Sequence, residues 1–329
     1  MSSALQSSID AAVNLVPVTD EAAALANRLR KNARHLARWA RREDLTAYRV
    51  YDRDIPEFPY AIDRYGEWLH MQLFEGKRPL SDADISSHLQ SIGNALEVPA
   101  DCIALKLRQR QRGSAQYNKL AEDGPSFTVC ERGLYFEVNL LRYLDSGLFL
   151  DHRETRRLVG AQAADKRVLN LFAYTGSFTV YAACGGAAST VTVDMSHTYQ
   201  TWTARNLRLN AITEGDRHRL VTQDVMSWLG TATYGRERYD LIVLDPPSFS
   251  NSKRTHDSFD IQRDQAPLLA ATLRLLAPGG VLYFSTNRQG FKLAGEVAAL
   301  AHFEDISART IPEDFKRRLP HRCWRVTRD

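Results

Sequence analysis

The second half of the chain alternates short apolar runs with longer stretches of helical spacing, a pattern typical of α/β proteins. Its clearest unit starts with the apolar run Val168–Leu171, turns sharply at residues 173–177 and continues as a predicted helix over Ser177–Cys184. Two glycines end that helix, since glycine enters the left-handed conformation at little cost. A second apolar run, Thr190–Val193, ends in Asp194. We therefore predict a strand–turn–helix–strand unit with an acidic residue at the tip of its second strand.

The same alternation continues through the rest of the chain. The further strands that it predicts are Arg219–Thr222, Tyr239–Leu244, Val281–Ser285 and Cys323–Thr327, with helices over Tyr199–Leu209 and from about Ile261 to Leu276, the latter capped by Pro278, Gly279 and Gly280. Five strand–helix alternations indicate an α/β fold with an open, doubly wound sheet, whose ligand crevice lies at the carboxyl ends of the strands. Asp194, Asp224 and Asp245 each follow a predicted strand and are expected to line that crevice. For Asp224 alone, helix capping is the better explanation.

Residues 46–142 have a different pattern, with short strand-like runs around one helix. The predicted strands are Tyr48–Tyr51, Tyr60–Tyr65, Trp68–Leu73, Ile103–Arg108, Phe127–Glu131 and Tyr135–Leu140, and the predicted helix is Asp82–Leu96. These elements predict a small α+β module. We therefore expect three parts: a leader with a basic helix at residues 1–45, the module at 46–142 and the doubly wound domain at 143–329.

Arginines form a stripe on the predicted helix Asn27–Arg42. Its apolar face carries Leu29, Ala33, Leu36 and Ala40, and another face carries Arg30, Arg34, Arg38 and Arg41. No acidic residue interrupts the helix, although like charges four residues apart repel one another. RNA contact explains this stripe better than a merely basic surface does. Arg110 and Arg112, on a predicted hairpin of the module, are candidates for a second phosphate contact, although hairpin arginines are more often only solvated.

Composition narrows the classes of function. The chain has 329 residues, of which 44% are hydrophobic, and a net charge of +4. No apolar run approaches roughly 18 residues, and the first residues lack the charged and apolar regions of a signal peptide, so we expect neither a membrane span nor secretion. The cysteines, at positions 102, 130, 184 and 323, form no C-x-x-C pair. We interpret them as reduced thiols of a cytoplasmic protein without a metal site.

The turn after Val168–Leu171 indicates a nucleoside ligand without phosphates. It contains one glycine, Gly176, whereas a G-x-G-x-x-G fingerprint has three glycines that cradle a pyrophosphate. This argues against NAD and is compatible with S-adenosylmethionine. Asp194 would accept hydrogen bonds from the ribose hydroxyls. On these residues alone, a βαβ unit of any α/β protein explains the pattern equally well.

The loop Asp245–Phe249, which reads Asp-Pro-Pro-Ser-Phe, is the most informative motif. Pro246 and Pro247 remove two amide donors and stiffen the loop, so that backbone carbonyls are exposed as acceptors. An acid and free carbonyls can bind the amino and imino hydrogens of a planar heterocycle, while Phe249 offers a stacking face. Such a loop is typical of methyltransferases that act on a nitrogen of a base.

With these motifs the chain resembles the S-adenosylmethionine-dependent large-subunit rRNA methyltransferases. It is most similar to the C-terminal half of the bifunctional members, which makes 7-methylguanosine in 23S rRNA. The matching stretches are Asn27–Glu43, Tyr48–Asp63, Lys106–Leu120, Asp145–Arg153, Asn170–Gly176, Thr192–Asn210, Leu241–Asp264, Phe284–Phe291 and Asp314–Trp324, and within them Asp245–Arg254 is the most specific. The resemblance implies an enzyme with a class I, Rossmann-like methyltransferase domain, S-adenosylmethionine as cofactor and large-subunit ribosomal RNA as partner.

The resemblance also implies roles for individual residues. The cofactor would be held by Asn170, Phe172, Tyr174, Thr175, Gly176, Ser177, Asp194, Met195, Asp224 and Arg153, with Asp194 on the ribose and Asp224 on the adenine amino group. The target base would be faced by Asp245, Pro246, Pro247 and Phe249. The bifunctional members carry a second methyltransferase and an RNA-binding module ahead of this part, which we do not expect here. Docking is then expected to rest on the basic helix and the 46–142 module.

Two alternatives to guanine-N7 methylation remain open. A 5-methylcytosine methyltransferase needs a cysteine nucleophile, which in such relatives follows the strand that here reads Phe284–Arg288 and contains no cysteine. A non-catalytic RNA-binding protein would not need a crevice lined by acids. Guanine N7 has an in-plane lone pair and no proton, so its methylation needs no general base and reduces to in-line placement.

Overall fold

The computed structural model describes residues 20–76, 79–108, 124–143, 145–250, 258–316 and 318–328. Arg110, Arg112 and the last part of the Asp245–Arg254 motif lie outside these residues. The chain divides into two compact units. One contains residues up to Gly133 together with Val138–Ser146, and the other contains Leu134–Glu137 together with Gly147–Asp329. The three-part division expected from the sequence stays a prediction.

The first unit combines two helices with a four-stranded sheet. Its helices are α1 (Asp20–Arg42) and α2 (Asp82–Leu96), and its sheet contains β1 (Ala47–Asp52), β2 (Tyr60–Tyr65), β3 (Trp68–Phe74) and β4 (Ile103–Arg108) in that order. β1, β2 and β3 are antiparallel, whereas β3 and β4 run parallel and are connected through α2. A two-stranded sheet of β5 (Ser126–Glu131) and β6 (Leu134–Asn139) follows.

Helix α1 is amphipathic in the way that the sequence predicts. Leu25, Leu29, Leu36 and Trp39 are buried in the core of the first unit, where α1 packs against α2 and β1. The stripe residues are exposed: Arg30, Arg34, Arg38 and Arg41. Burial of the apolar face therefore fixes the helix and directs the arginine stripe to solvent.

The second unit is built on a seven-stranded sheet. Its strands are β7 (Arg167–Leu171), β8 (Ser189–Asp194), β9 (His218–Thr222), β10 (Tyr239–Leu244), β13 (Leu276–Thr286), β14 (His302–Asp305) and β15 (Arg322–Thr327), and a separate pair is formed by β11 (Phe249–Ser250) and β12 (Phe259–Asp260). The helices are α3 (Arg153–Gln162), α4 (Ser177–Cys184), α5 (His197–Leu209), α6 (Val225–Ala232), α7 (Ile261–Leu275), α8 (Gly295–Ala298) and α9 (Ser307–Thr310). Among the residues described, no helix is both long and apolar enough to cross a membrane.

The sheet has the order β14-β15-β13-β10-β7-β8-β9. Its strands from β13 to β9 are parallel, and β15 runs antiparallel to both β13 and β14. From β7 the chain proceeds outwards to β8 and β9, then returns to β10 on the other side of β7. The strand order thus reverses between β7 and β10, and ligands of doubly wound sheets bind at such a switch point. The predicted fold class is confirmed.

Both faces of this sheet are covered, as expected of parallel strands. Along β10, Leu241 and Val243 pack on the side of α3 and α4, while Ile242 and Leu244 pack on the side of α6 and α7. This period-two alternation fixes which face each strand-end residue occupies.

Two features of the sheet differ from the sequence-based expectation. Strand β14 and the β11–β12 pair were not expected, because each is only two to four residues long and carries little periodic signal. Residues Pro278–Gly280 do not cap α7, which ends at Leu275; they lie within β13 as a bulge. Leu276 pairs with Tyr239 and Val281 pairs with Leu241, so the intervening residues loop out of register.

Candidate active site

The turn after β7 has an unusual backbone. Phe172, Tyr174 and Gly176 have φ angles of 56°, 52° and 73°, in the left-handed region. For the two aromatic residues this conformation costs of order 1–3 kcal/mol each and is held only by the surrounding contacts. One N–H group of this turn, at Tyr174, donates to Asp194. The turn lies at the carboxyl end of a strand that borders the switch point.

Glycine is required in this turn for a steric reason as well. A Cβ atom at Gly176 would overlap the side chain of Thr203 on α5. Gly147 is held against the same turn: its carbonyl accepts from Thr175 Oγ1 at 2.6 Å, and its N–H donates to the Tyr174 hydroxyl at 2.9 Å. These contacts help to hold the left-handed backbone of Phe172, Tyr174 and Gly176.

Asp194, at the tip of β8, faces this turn. Its Oδ2 accepts from the Tyr174 N–H at 2.9 Å and its Oδ1 accepts from the Ser196 N–H at 2.8 Å. Removal from water raises the pKa of Asp194 to about 6, although these two backbone donors act in the opposite direction. Each carboxylate oxygen has capacity for a further donor. Asp194 therefore connects two loops and can still accept a pair of hydroxyls.

The structure distributes the other predicted cofactor residues over three environments. Half-buried side chains along the turn and next to Asp194 belong to Phe172, Tyr174, Ser177 and Met195. Thr175, within the turn, and Asn170, on β7, are buried, and Asn170 donates to Thr179 Oγ1 at 3.0 Å. Asp224 caps α6 by accepting from the Ser227 N–H at 2.8 Å.

Arg153 has an environment that the sequence did not indicate. Its side chain is fully buried and lies 2.9 Å from Asp314 Oδ1 in an ion pair. A buried arginine fixed in this way contributes to the packing of α3. A direct contact between Arg153 and the cofactor stays a prediction that the geometry does not favour.

Asp245 follows β10, on the other side of the switch point from the turn. Its side chain is 24% exposed. Oδ1 accepts from Ser285 Oγ, at the end of β13, at 2.7 Å. Oδ2 lies 3.3 Å from His152 Nε2. Within the loop Pro246 is buried, Pro247 is half-buried and Phe249 is exposed, as a stacking surface must be.

Side chains on two neighbouring loops join the Asp245 loop to the end of β13. Ser248 Oγ lies 2.6 Å from Asn287 Oδ1, and Arg288 donates to both oxygens of Asp260 at 2.9 and 2.8 Å. The Asp245–Ser285 bond is a second link between the Asp245 loop and the end of β13, whereas the Arg288–Asp260 pair links that end to β12. The candidate base-binding loop is therefore cross-braced to its neighbouring strand.

A pair of stacked histidines lies behind Asp245. The rings of His152 and His321 are 4.3 Å apart and inclined by 13°. His321 Nδ1 lies 3.0 Å from Asp151 Oδ2, and its Nε2 lies 3.1 Å from Thr310 Oγ1. Ligand atoms of Asp151, His152 and His321 approach within 4.8 Å of one another. Imidazole lone pairs lie in the ring plane, so two parallel stacked rings do not direct both lone pairs at one ion, and we interpret the pair as a packing arrangement.

Comparison with known proteins decides the family. Residues 66–297 match the model of the S-adenosylmethionine-dependent methyltransferases. The chain belongs to that family. Over 95% of its length it is 49% identical to ribosomal RNA large subunit methyltransferase K of Neisseria meningitidis serogroup B, of which it covers 89%. It is 52% identical, over 92% of its length, to ribosomal RNA large subunit methyltransferase K/L of Methylococcus capsulatus, and spans only 42% of that protein.

Among solved structures, a methyltransferase complexed with SAH (SMU.776) is 21% identical to this one, with a TM-score of 0.74. That alignment covers 94% of this chain and 83% of the other, and it shows that the two chains share a fold. The sequence resemblance to the methyltransferases is thus confirmed, and S-adenosylmethionine is the cofactor.

The site of this methyltransferase fits that cofactor on its own chemistry. S-adenosylmethionine carries a ribose diol, and Asp194 is a desolvated carboxylate with one acceptor position left on each oxygen. The turn at 172–176, with its left-handed residues, and the half-buried Met195 flank it. The contacts of individual residues with the cofactor stay predictions.

Three side chains of the site were missed by sequence reasoning. Asp245 contacts Ser285 and His152, and His152 stacks on His321. All three residues lie 40 or more positions from Asp245 along the chain. A single histidine or serine next to a strand carries no periodic signal. Only the topology, which brings the end of β13 and the start of α3 to β10, reveals their proximity.

Proposed function

We propose that this methyltransferase transfers a methyl group to N7 of a guanosine in large-subunit ribosomal RNA. The observation that carries the proposal is the braced Asp-Pro-Pro-Ser-Phe loop at the switch point, with a partly exposed acid beside the cofactor turn. Two relatives that cover nearly the whole chain are named for methylation of large-subunit rRNA, which supports the substrate class. Its site of action would be the cytoplasm.

Asp245 would orient the base. Guanine presents an N1–H and a 2-amino group on one edge, and the outward lone pairs of a carboxylate accept from both. Phe249 would stack on the base, and the two prolines leave carbonyls without competing N–H donors. The bound cofactor supplies a methyl group on a cationic sulfur. The chain needs no general base for N7, so its residues contribute placement and exclusion of water.

The surroundings of Cys323, the cysteine nearest to Ser285 across the sheet, disfavour methylation of carbon. The β13 position next to Asp245 carries Ser285 in place of a thiol, and Cys323 lies directly opposite it on β15. Burial raises the pKa of the Cys323 thiol, and the charge of Asp245 raises it further. A nucleophilic cysteine requires the opposite shift, since the thiolate is the reactive form. Cys323 is also fully buried, so a base could not reach it.

RNA docking is assigned in this proposal to the arginine stripe on α1. Arg30, Arg34, Arg38 and Arg41 are exposed, and the opposite face of the helix is anchored in the core of its unit. Phosphate contacts of this kind bind without reading sequence. They would help to offset the few kcal/mol needed to evert a paired guanosine.

Identification of the methylated nucleoside tests the proposal. Unmodified large-subunit rRNA is incubated with the protein and S-adenosylmethionine carrying an isotopic methyl label, digested to nucleosides and analysed by mass spectrometry. We expect label in 7-methylguanosine, and we expect it to persist when all four cysteines are changed to Ser or Ala. Label in 5-methylcytidine, or a folded cysteine-free protein without activity, would overturn the proposal.

A further inference from the structure

The carboxylate of Asp245 is contacted from two sides. Ser285 Oγ donates to Oδ1 at 2.7 Å, and His152 Nε2 lies 3.3 Å from Oδ2. A carboxylate that follows a strand can rotate about two side-chain bonds, and each such partner removes part of that freedom. The two partners come from different elements, β13 and the start of α3, so their combined effect depends on the fold rather than on the loop.

His152 is itself fixed by packing. It ends a 3-10 turn, Leu150–His152, and immediately precedes α3. Its ring is buried, stacks on His321 at 4.3 Å and meets Phe178 edge-on at 5.7 Å. His321 is in turn held by Asp151 and Thr310. Packing therefore fixes the imidazole, and its Nε2 lies 3.3 Å from Asp245 Oδ2 and 3.9 Å from Asp151 Oδ2.

The hydrogen-bonding pattern indicates the tautomer of His152. Nδ1 is buried and has no hydrogen-bond partner among the residues that the structure describes. A buried N–H without an acceptor is costly, and the nitrogen next to a carboxylate is the one that gains from carrying a proton. The proton then resides on Nε2, and Nδ1 is left as an unprotonated nitrogen.

The environment also keeps the ring neutral. Burial lowers the pKa of His152; Asp245 and Asp151 act against this, while His321 and Arg156 act with it. Neutrality matters because guanine becomes cationic when N7 is methylated. An anionic Asp245 stabilises that developing charge, and a cationic histidine beside it would cancel much of the effect.

We propose that His152 is a positioning residue for methyl transfer: a neutral imidazole, locked by its stack on His321, donates Nε2–H to Asp245 and directs the remaining lone pairs of that carboxylate to the target base. The proposal rests on the proposed function in one respect, that Asp245 faces the base. It assigns no chemical step to His152. Hydrogen bonds of this kind are often long before substrate binds and shorten in the complex.

Two substitutions distinguish the contribution of the Nε2–H donor of His152 from that of its stacked ring. His152→Phe keeps a flat ring for the stack on His321 and removes both nitrogens, whereas His152→Gln removes the ring and can return an N–H near the Nε2 position. We expect His152→Phe to lower kcat for methyl incorporation into rRNA about 10-fold or more, with the Kd for S-adenosylmethionine within about 2-fold of wild type. His152→Gln is expected to recover at least about half of the lost activity on a logarithmic scale. His218→Phe, at another buried histidine that contacts Thr190 at 3.1 Å, is the matched control and should leave kcat unchanged.

A double-mutant cycle tests whether His152 acts through Asp245. If it does, His152→Phe has little further effect in an Asp245→Asn background, because the coupled partner is already lost. Full multiplication of the two single losses would overturn the proposal, as would equal losses in His152→Phe and His152→Gln. These rates count methyl label in whole rRNA, so they remain interpretable if the methylated atom proves not to be guanine N7.

A spectroscopic measurement needs no substrate at all. Ring-nitrogen NMR of the protein with 15N-labelled histidine should show His152 as the Nε2–H tautomer, uncharged at pH 7 and above, with its signals identified by their loss in His152→Gln. We expect Asp245→Asn to shift those signals. A protonated ring at pH 7, or a proton on Nδ1, would contradict the proposal even if every variant folded poorly in the kinetic assay.

Discussion

Asp245 and Asp194 both follow strands of the sheet, yet their partners differ in kind. Asp194 accepts from two backbone N–H groups, which only a change to proline would remove, and the donor at Tyr174 ties it to the cofactor turn. Asp245 is held by side chains of residues distant in sequence, Ser285 and His152. At the residue scale, Asp194 is therefore held by the backbone of the cofactor site, whereas the orientation of Asp245 depends on side chains that substitution can change.

Replacement of Asp245 by Asn tests its role in orientation. Asn keeps an oxygen for Ser285 but places an NH₂ group against His152, and it loses the charge. We expect methyl transfer to slow by about 10–100-fold, equivalent to about 1.4–2.7 kcal/mol. Single-turnover kinetics on rRNA measure this loss. Asp240→Asn, at the amino end of the same strand, is the control and should leave the rate per folded molecule unchanged; an equal loss there would point to the fold rather than to orientation.

The raised pKa of Asp194 makes cofactor affinity depend on pH. Above a pKa of about 6 the ionised carboxylate can accept from both ribose hydroxyls, and below it protonation converts one oxygen to a donor. Calorimetry should therefore show the Kd for S-adenosylmethionine rising as the pH falls below about 6, by at most about 10-fold per pH unit. In Asp194→Asn this dependence should vanish, and binding should be weaker at every pH. A wild-type Kd that stays constant from pH 5 to 8 would exclude Asp194 from the ribose site.

The same shift has a consequence for folding stability. Because the folded-state pKa of Asp194 lies above the usual value of about 3.9, the native protein binds more protons than the unfolded chain between these pH values. The contribution of this group to the free energy of unfolding is fully present below pH of about 3.9 and is lost as the pH rises through about 6. Ionisation of Asp194 therefore lowers the free energy of unfolding of the cofactor-free protein. Hydrogen bonds from the bound cofactor to the carboxylate would offset this loss.

At the element scale, the turn at 172–176 gains its shape from α5. Gly176 has a φ of 73° and touches Thr203, so replacement by Ala adds both backbone strain and a steric overlap. Gly279 has a similar φ of 71°, but no atom lies within 4 Å of an added Cβ atom. Replacement of Gly279 by Ala therefore adds only the backbone strain. We expect Gly279→Ala to lower the free energy of unfolding by about 1 kcal/mol and Gly176→Ala by about 1–3 kcal/mol more.

Urea denaturation measures the free energy of unfolding of both glycine variants. A second change, Thr203→Ala, tests whether the overlap with Thr203 causes the larger loss. Removal of the Thr203 hydroxyl and methyl should restore part of the loss in Gly176→Ala, because the overlap is mainly with those atoms. Equal destabilisation by Gly176→Ala and Gly279→Ala would mean that α5 does not shape the turn.

Much of the element pattern was predictable from the sequence. Periodicity and glycine positions predicted α2, α4 and β10 with the bounds that the structure has. The bulge at Pro278–Gly280 was not predictable, because Pro-Gly-Gly after a helix usually ends it, and only the pairing of Leu276 with Tyr239 shows that the strand has already begun. Likewise, no sequence pattern marks Phe172 and Tyr174 as left-handed, since aromatic residues seldom adopt that conformation.

At the scale of the whole molecule, the sequence located the acids at strand ends but not their neighbours. The strand order places the ends of β7 and β10 side by side, which is why the cofactor turn and Asp245 were predictable as one site. The approach of His152 and Ser285 to Asp245 depends on packing of α3 and on the register of β13. Such contacts are set by tertiary structure and leave no trace in local periodicity.

The arginine stripe makes a prediction about the whole protein in salt. If Arg30, Arg34, Arg38 and Arg41 contact phosphates, changing all four to Ala should flatten the log–log salt dependence of RNA affinity by roughly 0.7–0.9 per lost contact. Filter binding at several salt concentrations measures the slope. A control with the same charge change removes four exposed arginines of the other unit: Arg157, Arg219, Arg236 and Arg309. A slope that responds equally to both sets would show that only net charge matters.

The central claim, methylation of guanine at N7, has a direct chemical test. Methylation there makes the base cationic and sensitive to borohydride reduction, after which aniline cleaves the RNA strand at that nucleotide. Large-subunit rRNA treated with the protein and S-adenosylmethionine should be cleaved at a guanosine, and the break should be far weaker with Asp245→Asn after the same short reaction. Incorporation of labelled methyl groups into the RNA without any new aniline-sensitive site would contradict the account.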